Sequence, residues 1–108
     1  MSTRSNVGLA LHKDVELSTE TLEWLSNLAD EKHECDEGTL FIMESVKWSD
    51  LDPDVTRLMM ELKPYEAKYL LVDACMDYPS SDENDSGGWD DNPWRLGKFI
   101  SVNLTYEA

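Results

Sequence analysis

The residues best placed to do chemistry lie in one acidic stretch, residues 80–94, SSDENDSGGWDDNPW. Asp82, Asn84 and Ser86 put oxygens at the first, third and fifth positions of a calcium loop of the EF-hand kind, Gly87 supplies the turn, and Trp89 takes the usual apolar position. Pro93 stands where a bidentate glutamate should close the coordination. The half-motif therefore predicts a solvated acidic turn and no metal site. Gly87-Gly88 has no following lysine and sits among acids, so it is no phosphate cradle either.

Other reactive side chains are few. His33-Glu34-Cys35 offers two metal ligands, but no second pair follows at zinc-like spacing. Cys75, beside Ala74 in an alternating run, reads as a small buried apolar residue, and nothing in the spacing brings it to His12 as a Cys–His dyad. Carboxylates are so numerous that choosing two as acid and base would be arbitrary. No catalytic residue, cofactor or metal is expected, and a small hydrolase or weak metal-binding domain is kept only as a third reading.

The elements that position these residues follow from periodicity. Val7, Leu9 and Leu11 alternate with Gly8, Ala10 and His12, a short strand whose second side accepts little bulk. Ser18 reads as the N-cap of a helix over 19–34, with Leu17 and Leu22 as a hydrophobic staple and Leu22, Leu25, Leu28 and Ala29 as its buried stripe. Residues 39–47 read as a central strand, with Phe41 and Met43 on one side and Leu40, Ile42 and Val46 on the other. Asp52-Pro53 opens a second helix carrying Val55, Leu58, Met59 and Leu62, which Pro64 ends. Residues 68–78 are rich in helix formers, yet strict alternation over Leu70, Val72, Ala74, Met76 and Tyr78 favours a strand. Residues 98–106 alternate likewise and are expected to pair with it.

The predicted architecture is one α+β domain over 1–108, in the order β-α-β-α-β-β. A four-stranded sheet carries two helices on one face, and a long acidic loop joins the last two strands. That loop exceeds ordinary hairpin connections, and Trp89 and Trp94 within it call for an explanation. They are either pegs that fold back onto the sheet, with Asn92-Pro93-Trp94 as a turn, or interface anchors inside an acidic rim.

With 23 acids against 9 bases, the chain carries a formal net charge of -14. Phosphate backbones and anionic membranes repel such a surface, whereas a basic partner is attracted at rates that fall with salt. In a helix running to residue 34, Glu20, Glu23, Asp30, Glu31 and Glu34 form one exposed ridge with Trp24 at its border. The ridge breaks two local rules: like charges stand three or four apart, and acids crowd the end where the helix dipole prefers cations. Carboxylates on successive turns stand roughly 5–6 Å apart, not far from the phosphate spacing of one nucleic-acid strand.

The opening Met1-Ser2-Thr3-Arg4-Ser5-Asn6-Val7-Gly8 resembles that of a group of small proteins of tailed bacteriophages. The resemblance covers about eight residues. The His-Trp-Asp-Gly-Tyr-Pro stretch of that group is absent, Asp77-Tyr78-Pro79 being its nearest echo, so no site residue is carried over. What the resemblance implies is a phage context, in which small acidic proteins often block host enzymes. The polar opening carries no signal-peptide core, and the expected compartment is the host cytoplasm with reduced cysteines. The expected function is non-enzymatic: binding and inhibiting a basic, nucleic-acid-handling host protein by charge mimicry. The expected partner-binding residues are Glu20, Glu23, Trp24, Asp30, Glu31, Glu34, Asp82, Glu83, Asp85, Trp89, Asp90, Asp91 and Trp94. A self-associating phage accessory protein is the alternative.

Overall fold

The computed structural model describes residues 4–48, 51–75, 86–89, 92–94, 97–99 and 103–105. Its elements are β1 (Arg4–His12), α1 (Thr19–Leu28), β2 (Glu31–Cys35), β3 (Gly38–Lys47), α2 (Pro53–Leu62), a 3-10 turn (Lys63–Tyr65), β4 (Tyr69–Cys75), β5 (Ser86–Gly87), β6 (Gly97–Phe99) and β7 (Asn103–Thr105). Four antiparallel strands in the order β2-β3-β1-β4 form the sheet, and the two-residue β5 adds outside β4. The α+β class with two helices on one face is as the periodicity predicts, and residues 69–75 are strand, not helix.

Strand β1 is central and covered on both faces. Val7, Leu9 and Leu11 join Phe41, Met43, Tyr69 and Leu71 on the side capped by Leu25 of α1 and Val55, Leu58 and Leu62 of α2. Ala10 joins Leu40, Ile42 and Val72 on the opposite side, beneath Trp89 and Trp94. Each fully buried Leu, Val or Phe contributes about 1.5–3 kcal/mol of transfer free energy, so these two layers outweigh any single polar contact. Helix α2 starts as its sequence predicts: Asp52 Oδ1 accepts from the Asp54 N–H at 2.8 Å, with Pro53 at the first helical position.

Three departures from the predicted elements have physical causes. First, α1 stops at Leu28, and residues 31–35 form the edge strand β2 paired with β3. The Asp30 N–H donates to the Ile42 carbonyl at 2.8 Å, and Asp30 Oδ2 accepts from the Glu44 N–H at 2.6 Å. A helix to residue 34 would have gathered acids at its negative end; ending early removes that conflict and gives Asp30 two backbone partners.

Second, the register of β1 against β3 shifts between Ser5 and Val7, which gives β3 one extra residue. Ser45 takes φ 52 there and its N–H donates to Asn6 Oδ1 at 2.9 Å. Past this bulge the alternation inverts, so Val46 packs with Phe41 and Met43 rather than opposite them. Third, the run at 98–106 is not one strand against β4. Gly97–Phe99 and Asn103–Thr105 pair with each other as a separate two-stranded ladder.

Gly38 opens β3 opposite His12, and a Cβ there would collide with the Leu11 carbonyl oxygen. Gly38→Ala should therefore destabilise the protein by about 1–3 kcal/mol, read from the urea midpoint. Gly88→Ala is the control: its Cβ would meet only Ala67, at 3.6 Å, and should leave the midpoint nearly unchanged.

Candidate functional site

The carboxylate ridge predicted on the first helix does not exist as one surface. Glu20 and Glu23 stand exposed on α1, whereas Asp30 caps the backbone of β3 at the bulge. Glu31 and Glu34 lie on β2, where residues three apart face opposite sides of the sheet. Glu31 pairs with the His33 ring at 3.1 Å, and Glu34 pairs with Lys32 at 3.6 Å. Glu20 is held by Arg57 at 3.2 Å. The 5–6 Å phosphate-like spacing required a continuous helix through residue 34, and that helix ends at Leu28.

The tryptophans are likewise inside. Trp24 is half-buried and stacks on Trp48 with ring centroids 5.7 Å apart. Trp89 and Trp94 are 8% and 4% exposed, which rules them out as open interface anchors. They are pegs: Trp89 meets Trp94 edge-on at 6.1 Å, and Asn92 Nδ2 donates to the Trp89 carbonyl at 3.0 Å. The N–H groups of Gly88 and Trp89 both donate to the Tyr69 carbonyl, at 3.0 and 3.1 Å. Of the calcium half-motif, Ser86 and Gly87 form β5 beside Leu71 and Leu70, and Asp82 and Asn84 lie outside the described residues. Gly87 has φ +88, and a Cβ there would collide with the Tyr69 carbonyl oxygen. Asp82, Glu83, Asp85, Asp90 and Asp91 lie outside the described residues.

A polar junction joins α1 to α2 and sets how α1 sits. Glu61 accepts from the Ser18 N–H at 2.6 Å, the Ser18 hydroxyl at 3.0 Å and the Thr21 hydroxyl at 2.6 Å. Arg57 Nε donates to Thr21 Oγ1 at 2.9 Å, and its other nitrogens pair with Glu20 and Asp54 at 3.2 and 3.1 Å. Burial raises the Glu61 pKa, but the Ser18 and Thr21 donors and the Arg57 charge outweigh it and hold the carboxyl below the ordinary glutamate range. Thr21 is consequently buried with Leu25, while Leu22, predicted to lie in the stripe, is 41% exposed.

Leu22 borders a groove of about 580 Å³ between the start of α1 and the edge of the sheet. Val15, Leu17, Leu22 and Phe41 supply apolar walls; Lys13, Glu16, Lys32 and Glu34 supply the charged rim. The Lys32 ammonium sits 5.6 Å from the Phe41 ring centroid as well as beside Glu34. A second recess, lined by Thr19, Glu23, Ser26 and Asn27, shares Leu22 from the other side of α1. Leu22 therefore stands as an open apolar ridge between two recesses with Glu16, Glu23 and Glu34 around it. The sequence reading missed it because the Glu61–Thr21 bond that turns the helix is 40 residues long in chain separation.

At the groove's far end, His12 Nδ1 accepts from the Asp14 N–H at 3.1 Å and the ring meets Trp89 at 5.2 Å. Asp14 is held below its ordinary pKa chiefly by its hydrogen bond from Lys68, at 2.8 Å. Cys75 pairs in register with Ser5, at the opposite end of β1 from His12, roughly 20 Å away at the strand rise. A dyad between them is excluded. The Cys35 sulfur accepts from the Glu37 N–H at 3.4 Å. Among the described residues no three His, Cys, Asp or Glu side chains converge on a metal position, and no helix is long and apolar enough to cross a membrane.

No family model, curated protein or solved structure matches this chain.

Glu61→Gln should cost about 1–2 kcal/mol at neutral pH by weakening charge-assisted hydrogen bonds. Because the folded pKa is depressed, Glu61 stabilises the protein fully above the unfolded value of about 4.3 and loses that contribution as pH falls through the folded value. Urea unfolding should thus show the stability gap between the native chain and the Glu61→Gln variant narrowing as pH falls from neutrality through the depressed carboxyl pKa.

Proposed function

We propose that this chain is a non-enzymatic acidic protein of phage type that docks on a basic, nucleic-acid-handling host protein and blocks it. The carrying observation is where the charges stand. Lys32, Lys68 and Arg57 are drawn into ion pairs with Glu34, Asp14, Glu20 and Asp54. Glu16, Glu23, Asp36 and Glu37 remain exposed and have no ion pair among the described residues. Around α1, the groove and the β2–β3 turn these four carboxylates face one exposed cation outside those ion pairs, Lys13, so the local charge is negative in sum. This reading relies on the sign and exposure of the charges, with no repeat spacing copied from nucleic acid.

Self-association is the second reading, favoured by Leu51 and Met60, which are 92% and 70% exposed. Met60 edges an apolar recess of about 500 Å³ on α2. Two copies at -14 repel each other, so a self-complex would tighten as salt rises, opposite to the docking of a basic partner.

The immobilised protein should retain a basic protein from bacterial lysate that elutes only at raised salt. The Glu16→Gln, Glu23→Gln, Asp36→Asn, Glu37→Gln variant should release it at distinctly lower salt. The captured protein should lose nucleic-acid binding when one equivalent of the acidic chain is added. Unchanged elution of the variant would remove the charge-docking reading, and undiminished nucleic-acid binding would remove the blocking role.

A further inference from the structure

We propose that the edge of β2 pairs with the same edge of a second copy of this chain, antiparallel about a two-fold axis between the two His33 residues; this does not depend on the basic-partner reading. Among the described residues β2 has a strand neighbour on one side only, β3, and so ends the sheet. Its ladder to β3 runs in unbroken register from Glu31 to Cys35, without the proline or bulge that commonly blunts an edge. Lys32, Glu34 and Cys35 stand exposed along it. An edge of this kind accepts a further strand through backbone hydrogen bonds.

The order of charges selects both occupant and register. With His33 opposite His33, Lys32 falls opposite Glu34 and Glu34 opposite Lys32. The two intrastrand pairs, at 3.6 Å, then join as a ring of four alternating charges on one face of the sheet. A two-residue slip either way puts Lys32 opposite Lys32 or Glu34 opposite Glu34. A uniformly basic strand would meet Lys32 and an acidic one Glu34, whereas a strand with the reverse order of charge satisfies both, and this chain carries it. Repulsion acts at longer range: each copy carries -14, and Asp36 in the β2–β3 turn approaches Asp30 of the second copy. Salt screens the distant charges first, so the dimer forms at raised salt.

Sedimentation of the full chain at raised salt should show a concentration-dependent dimer. Lys32→Glu and Glu34→Lys should each weaken it at least about tenfold, since each makes both cross-strand pairs like-charged. The double exchange should restore it, and the two single variants mixed should pair with each other, all with urea midpoints near the native value. His33→Cys combined with Cys35→Ser should give a covalent dimer on oxidation with diamide, because opposed Cα atoms stand roughly 4.5–5.5 Å apart. The native chain should not, since its two Cys35 residues are offset by four positions, roughly 14 Å at the strand rise. A monomer at every salt and concentration, or self-association that neither charge reversal alters, would overturn the proposal, the latter moving the contact to Leu51 and Met60. Covalent dimers through native Cys35 would overturn the register. Capture of a basic protein from lysate is read separately, so either reading can fail alone.

Discussion

Strand β1 has a partner along both edges and a packed layer on both faces, and the remaining elements are arranged to meet that demand. Its pairing with β3 and β4 satisfies the backbone, which a buried strand must do at a cost of about 1–3 kcal/mol for each polar group left unmet. Its leucines and Val7 need the helices above them. Its opposite side, narrowed to Ala10 and Gly8, leaves depth for indoles, and the chain supplies Trp89 and Trp94 from a segment that would otherwise be an overlong loop. The Tyr69 carbonyl, accepting two N–H groups, fixes where that segment turns back.

The second organising feature is polar. A chain with 23 acids and 9 bases must fold against its own repulsion, and it concentrates attraction where the two helices meet. Arg57 is partly enclosed by Glu20, Asp54 and Glu61 and carries more than a surface pair would. Glu61, in turn, does for α1 what a capping box does within one helix, but from a neighbouring element. The helix therefore takes its orientation from hydrogen bonds, and its apolar stripe yields one leucine to solvent.

Much of the fold was legible because its signals are local. Asp52-Pro53 and the spacing of Val55, Leu58 and Leu62 specify α2 without reference to anything distant. Alternation specifies β1 and β4 because both faces are apolar or small at regular intervals. The peg role of Asn92-Pro93-Trp94 was one of two local readings, and burial selects it. What escaped depends on long separations. The end of α1 depends on Asp30 finding the backbone of Ile42 and Glu44, the side taken by Val46 depends on a bulge opposite Asn6, and the exposure of Leu22 depends on Glu61. The apparent ridge was a sum of acids over a helix whose own electrostatics opposed it; the unfavourable charges marked a helix boundary.

The four tryptophans are shared evenly between the two faces of the sheet. Trp24 and Trp48 stack beside the helices, and Trp89 and Trp94 meet edge-on beneath the opposite face. Each pair is close enough to behave as one chromophore, and the sheet lies between the pairs. The protein thus carries two intrinsic optical probes, one for each layer of its core. Emission from single-pair variants would separate loosening of the helical layer from lifting of the returning segment, events that a single global signal merges.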